Sequence, residues 1–71
     1  MPCMKIENTK DFGDFIRSTR KGINMTQGQL AAVSGVGVRF ISELENGKKT
    51  VQLDKALRVA YVLGIKIEMG Q

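Results

Sequence analysis

Residues 25–48, MTQGQLAAVSGVGVRFISELENGK, decide the fold. The stretch reads as two short helices joined by a glycine turn. Thr26 suits the N-cap of the first, because its hydroxyl can accept from the free N–H groups of an opening helical turn. Leu30, Ala31 and Val33 are the apolar contacts expected of that helix. Gly35 then falls where the chain must enter the left-handed region, which glycine adopts at little cost. Val36, Ile41 and Leu44 mark the inward face of a second helix, and Asn46-Gly47 stops it. Helix, short glycine-containing turn, helix is the helix-turn-helix arrangement. Its second helix is the one that enters a DNA major groove.

The surrounding chain bounds this reading. Seventy-one residues allow one domain. A core of that size supplies roughly 3–5 kcal/mol of net stability, so support from a partner chain is expected. The net charge of +4 favours a polyanionic partner, and its placement matters more than its size. Arg17, Arg20 and Lys21 precede the motif, and Lys48-Lys49 follow its second helix. Basic groups at both ends suit a protein that neutralises phosphates on either side of a groove. The single Cys3 forms no internal disulfide and carries no chemistry by its spacing. No apolar run of membrane-spanning length and no signal-peptide core is present, which predicts a cytoplasmic protein with no membrane partner.

Outside the motif, residues 1–8 read as an N-terminal arm and 9–64 as the DNA-binding domain. A helix is expected from about Thr9, with Asp11 favoured by the positive end of its dipole. Phe12, Phe15, Ile16 and Thr19 form its buried stripe. Gly13 costs about 1 kcal/mol against alanine inside a helix, so a weak first turn is expected. Gly22 to Asn24 end this helix. After a loop over 48–52, Leu53, Ala56, Leu57, Ala60 and Leu63 predict an amphipathic helix closed by Gly64. The period then changes. Ile65, Ile67 and Met69 alternate with Lys66, Glu68 and Gly70, which is strand spacing. A lone strand needs a partner for its N–H and C=O groups, and the same strand of a second copy supplies one. Residues 65–71 are accordingly read as a dimerisation strand, with a frayed tail as the alternative.

The inventory for catalysis is thin. There is no histidine, and GVGVRF lacks the lysine and preceding strand of a phosphate loop. Glu43 and Glu45 are two apart and point to different sides of a helix. The chain is therefore expected to be no enzyme and to need no cofactor or metal. For DNA the residues are better placed. With Ile41 and Leu44 inward, Val38, Arg39, Ser42 and Glu43 fall on the outer side of the second helix. Arg39 can donate to guanine O6 and N7, with a phosphate contact as its alternative, and Val38 can cover a thymine methyl. Glu43 can accept from cytosine N4, or orient Arg39 one turn earlier. Gly37 allows close approach to a phosphate. Gln27, at the start of the first motif helix, can hold a phosphate or cap that helix. Phe40 is read as packing, and Arg20 with Glu45 as an ion pair belonging to the scaffold.

The run TQGQLAAVSGVGVRFISELENGK resembles the helix-turn-helix core of the lambda-repressor-like (XRE) family in its T-Q, L-A, turn glycine and I-S-x-L-E-x-G. With the flanking helices the resemblance covers about residues 10–64, and the continuation to Ile65 is most similar to HipB-type antitoxins. It implies an all-α domain of four or five helices that dimerises and binds a palindromic operator in double-stranded DNA. The family's Arg–Glu pair falls on Arg20 and Glu45, and its phosphate-contacting glutamine on Gln27. Its base-reading positions fall on Val38, Arg39 and Glu43, with Ser42, like Gly37, Lys48 and Lys49, at the DNA backbone. HipB-type proteins add a short C-terminal β-strand that joins two protomers, here Ile65, Ile67 and Met69. They also bind a HipA-like kinase toxin and repress their own operon. A protein-binding adaptor on the same scaffold, a phage-type repressor and a restriction-modification controller are the alternatives left open by the sequence.

Overall fold

The computed structural model describes residues 6–66. They form four helices, α1 (Thr9–Gly22), α2 (Gln27–Ser34), α3 (Val38–Glu45) and α4 (Leu53–Val62), and no strand lies among the described residues. The fold is all-α. The side chain of Asn8 caps α1 by accepting from the Asp11 N–H at 2.8 Å. Asp11 in its first turn, with Arg20 and Lys21 in its last, matches charge to the helix dipole. Thr26 caps α2 through a reciprocal pair of bonds with Gln29, each residue's side chain taking the other's backbone N–H.

All four helices end the same way. A residue with positive φ follows the helix, and the next N–H reaches back five residues. Asn24 (φ 56°) and the bond from Met25 N to Arg20 O close α1, and Gly35 (φ 71°) with Val36 N to Ala31 O closes α2. Gly47 (φ 79°) with Lys48 N to Glu43 O closes α3, and Gly64 (φ 77°) with Ile65 N to Ala60 O closes α4. The residue after the turn packs on the core in three of these closures: Met25, Val36 and Ile65. The Ile65 N–H is thus committed to α4, and Ile65 and Lys66 have no regular structure. The strand expected at Ile65, Ile67 and Met69 does not begin at Ile65, and its last two positions lie outside the described residues.

Ile16, Leu30, Ile41, Leu44 and Val59 are fully buried, and Ala31, Ala56 and Ala60 let α2 and α4 come close. Two expectations about the core need correction. Val33 is 57% exposed, because Leu30, Ala31 and Ser34 define the inward arc of α2 and Val33 falls outside it. On α4 the arc is Ala56, Val59 and Ala60, so Leu53 and Leu57 lie beyond its edge at 69% and 42% exposure. Each step along a helix turns the side chain by about 100°, which is enough to carry a leucine off a narrow buried stripe. With Ile6, Phe12 and Val51, these two leucines line an open apolar groove between the start of α1 and α4.

Gly13 is the third correction. The first turn of α1 is capped, and Gly13 is buried against the end of α3. A Cβ there would stand 2.3 Å from the carbonyl oxygen of Leu44 and 2.9 Å from that of Glu45. One turn earlier the contact is reciprocated. A Cβ on Gly47 would meet Lys10 Cα at 2.7 Å, and Thr9 Oγ1 donates to the Gly47 carbonyl at 2.8 Å. Backbone therefore lies on backbone where α1 crosses the end of α3. Gly13→Ala gains about 1 kcal/mol of helix propensity and loses more by overpacking a rigid carbonyl. We expect a net loss of about 1–2 kcal/mol in urea unfolding; a raised midpoint would show that the crossing yields.

Candidate nucleic-acid interface

Helix α3 turns Ile41, Leu44 and Glu45 inward. Its other face is left open. Val38 is 50% exposed, the Arg39 side chain is 91% exposed, Ser42 is half-buried beside them, and Phe40 packs against the core. The Glu43 side chain is 31% exposed and its Oε2 serves two cations, Arg39 Nε at 3.4 Å and Lys48 Nζ at 3.3 Å. The bond from Lys48 lowers the Glu43 carboxyl below its ordinary value and outweighs the opposing effect of burial, and the charges of Lys48 and Arg39 add to it. Glu43 is thus a carboxylate at neutral pH. Lys49 is exposed in the loop beyond.

Two glycines near this face answer no demand of the fold. Gly37, the N-cap of α3, has an ordinary extended backbone (φ −79°, ψ 154°) and open space where a Cβ would be. Gly28, in the first turn of α2, would place a Cβ no nearer than 3.8 Å to anything, and that neighbour is the Thr26 hydroxyl. Alanine would be favoured at Gly28 by about 1 kcal/mol on helix propensity. Glycine at such a position keeps the backbone N–H groups bare and lets another molecule come close. Gly28 escaped the sequence reading. Its signal was a glycine inside a helix with no turn to make.

Behind this face, Arg20 and Glu45 form a buried pair, 7% and 5% exposed. Arg20 Nε and Nη2 donate to Glu45 Oε2 at 2.6 Å and Oε1 at 3.0 Å, a two-pronged contact that fixes both planes. Arg20 Nη1 also donates to the Met25 carbonyl at 2.7 Å, and Gln27 Nε2 donates to Glu45 Oε1 at 3.1 Å. One cluster therefore joins α1, the turn before α2, the first residue of α2 and the last of α3. Gln27 does not cap α2; Thr26 and Gln29 do that, and the Gln27 amide is anchored on Glu45. Burial pushes the Glu45 carboxyl up, and the bonds from Arg20 and Gln27, with the charges of Arg20 and Arg17, outweigh it and hold it below its ordinary value.

Two short helices joined through a left-handed glycine, a buried tie behind them and an open face on the second define a helix-turn-helix protein. The chain belongs to the helix-turn-helix family (HTH_3), whose profile matches residues 16–69. It is 45% identical over 65 residues to an uncharacterized HTH-type transcriptional regulator, y4mF, of Sinorhizobium fredii, covering 92% of this chain and 86% of that one. It is 37% identical over 59 residues to the HTH-type transcriptional repressor RghR of Bacillus subtilis, covering 73% of this chain and 44% of RghR. Among solved structures, a HipB variant in an O2 20mer complex superposes with a TM-score of 0.88 at 20% identity, over 99% of this chain and 97% of HipB. HipB in an O4 20mer complex superposes at 0.87, also at 20% identity, over 97% of each chain. The relatives place the chain among HTH-type transcriptional regulators, and the HipB structures share its fold.

The buried tie makes stability depend on acid. Glu45 has a lower folded than unfolded pKa, so its contribution is present at neutral pH. It is lost as pH falls from the ordinary carboxyl value of 4.5 through the lower folded value. Glu45→Gln leaves the Arg20 guanidinium buried without its anion and costs about 3–5 kcal/mol at pH 7. Denaturant titrations of the native chain from neutral to acid pH follow the acid limb. Circular dichroism at pH 7 should show the variant largely unfolded, because that loss is about the whole of the roughly 3–5 kcal/mol such a core supplies.

Proposed function

We propose that this chain is a sequence-specific DNA-binding repressor that lays α3 in the major groove. The observation that carries the reading is the outer face of α3, where Val38, Arg39, Ser42 and Glu43 stand together while the opposite side holds the core. Arg39 reads a guanine through O6 and N7, and Val38 covers a neighbouring thymine methyl. Gln27, beside the bare backbone at Gly28, takes a phosphate at the start of α2, and Gly37, Ser42, Lys48 and Lys49 take others around α3.

The repressor works as a homodimer in the cytoplasm on a palindromic operator, with two copies of α3 about 34 Å apart. The domain of residues 9–64 carries the DNA contact, with residues 1–8 as an arm and 65–71 as the dimerisation segment. Exposed Leu53, Leu57 and Tyr61, four residues apart along α4, support a protein contact beside that segment. The antitoxin role, with a HipA-like kinase toxin as partner, is supported by the HipB fold and by the resemblance of residues 35–65. Among the described residues no helix is long and apolar enough to cross a membrane.

Gel-shift titration against DNA upstream of the gene, at two salt concentrations, tests the reading: one preferred site and a steep salt slope are expected. Absence of retention at low salt would favour the adaptor reading. Arg39→Ala should lose about 1–3 kcal/mol at one base position and relax the preference there. Equal losses on every sequence would make Arg39 a phosphate anchor. Gln27→Ala, in contrast, should weaken binding without altering the preferred site. Arg20 already holds both Glu45 oxygens, so the fold should keep its unfolding midpoint.

A further inference from the structure

The charge arrangement on the outer face of α3 carries a consequence for specificity, and it rests on the DNA-binding reading above. Arg39 and Lys48 approach the same oxygen of Glu43, from the preceding turn of the helix and from the loop beyond it. Both cations are the residues expected to meet DNA. A carboxylate set between them in the binding face is repelled by phosphate. It is equally repelled by the base-edge acceptors, guanine O6 and N7, adenine N7 and thymine O4. It has favourable contacts only with the amino groups of cytosine N4 and adenine N6. The pairs are partly exposed and weak one by one, so the cations can leave the carboxylate when something better is offered.

We propose that Glu43 is a specificity-determining residue acting by penalty. Its carboxylate holds Arg39 and Lys48 back from phosphates on random DNA, and frees them where a cytosine or adenine amino group lies beneath it. On a wrong sequence, each cation that turns to the DNA leaves an anion facing anions. On the right one, the amino group takes over the carboxylate oxygen, and Arg39 and Lys48 are released together. Discrimination arises mainly from making the wrong complex worse, and the amino-group contact in the right one serves to release the two cations. Arg39 sets the base it prefers, and Glu43 sets how little the chain binds elsewhere.

Glu43→Gln keeps the size of the side chain and removes the charge. With the full chain, fluorescence anisotropy on a random duplex and on the preferred duplex gives the two affinities across a salt series. The variant should bind the random duplex several-fold tighter, with a salt slope steeper by about 0.9 for each cation released. The ratio of preferred to random affinity should fall. Lys48→Met should weaken random binding more in the Glu43→Gln background than in the native one, because only there is the ammonium unclaimed. If the native chain binds duplex while Glu43→Gln leaves random affinity and the ratio unchanged, the penalty role is overturned and the regulator reading stands. If the native chain binds no duplex at low salt, both fall. A matching thermal melt for Glu43→Gln excludes misfolding as the cause of any loss.

Discussion

The ion pair between Arg20 and Glu45 is the constraint on which the rest of this small domain depends. It is buried, so its members cannot be shed to water, and its geometry is two-pronged, so it fixes orientation as well as distance. Replacing such a pair by apolar residues often costs nothing in stability, so its use here is better sought in what it positions. Through Arg20 it holds the Met25 carbonyl, and hence the entry to α2. Through Glu45 it holds the end of α3 and the amide of Gln27. The two helices of the motif are thus set against each other by a charge cluster completed by Arg20 of α1.

That cluster works only if α1 and α3 come close, and the closeness is a matter of missing atoms. Gly13 lies on the carbonyls of Leu44 and Glu45, and Gly47 lies on the backbone of Lys10. The crossing brings the chain of α1 within reach of the same turn of α3 that carries Glu45. Packing at Gly13 and charge at Arg20, two turns later on α1, therefore act on one contact. The alanines of α2 and α4 play the corresponding part on the other side of the core.

Much of this was legible before any coordinates. Thr26, Gly35, Gly47 and Gly64 announced where helices start and stop, because capping and positive φ are local requirements that few residue types meet. The Arg20–Glu45 pair was legible as a scaffold ion pair and again through family resemblance, and the outward residues of α3 through helical spacing. What escaped was whatever depends on the angle between elements. Gly13 read as a defect in α1 because only the neighbouring helix explains it. Leu53, Leu57 and Val33 read as core because periodicity tells that a stripe exists but not how wide the buried part is. Val59, at the centre of that stripe, was passed over for the same reason. Glu43 was seen to face Arg39 at helical spacing, but Lys48 comes from a loop, and loop paths are not periodic.

The repeated helix closure has one odd member. After α1, α2 and α4 the turn delivers an apolar residue, Met25, Val36 or Ile65, onto the core, so those ends are fastened by burial. After α3 it delivers Lys48, whose half-exposed ammonium rests on Glu43, next to Gly47 packed on Lys10 and bonded by Thr9. Apolar burial changes little over ordinary ionic strengths, whereas an exposed charge pair weakens as salt is added. Of the four residues that follow these turns, only Lys48 is held by charge, in a latch that the ionic composition of the medium can loosen. The scaffold can thus stay indifferent to its surroundings while one tip of the reading helix feels them.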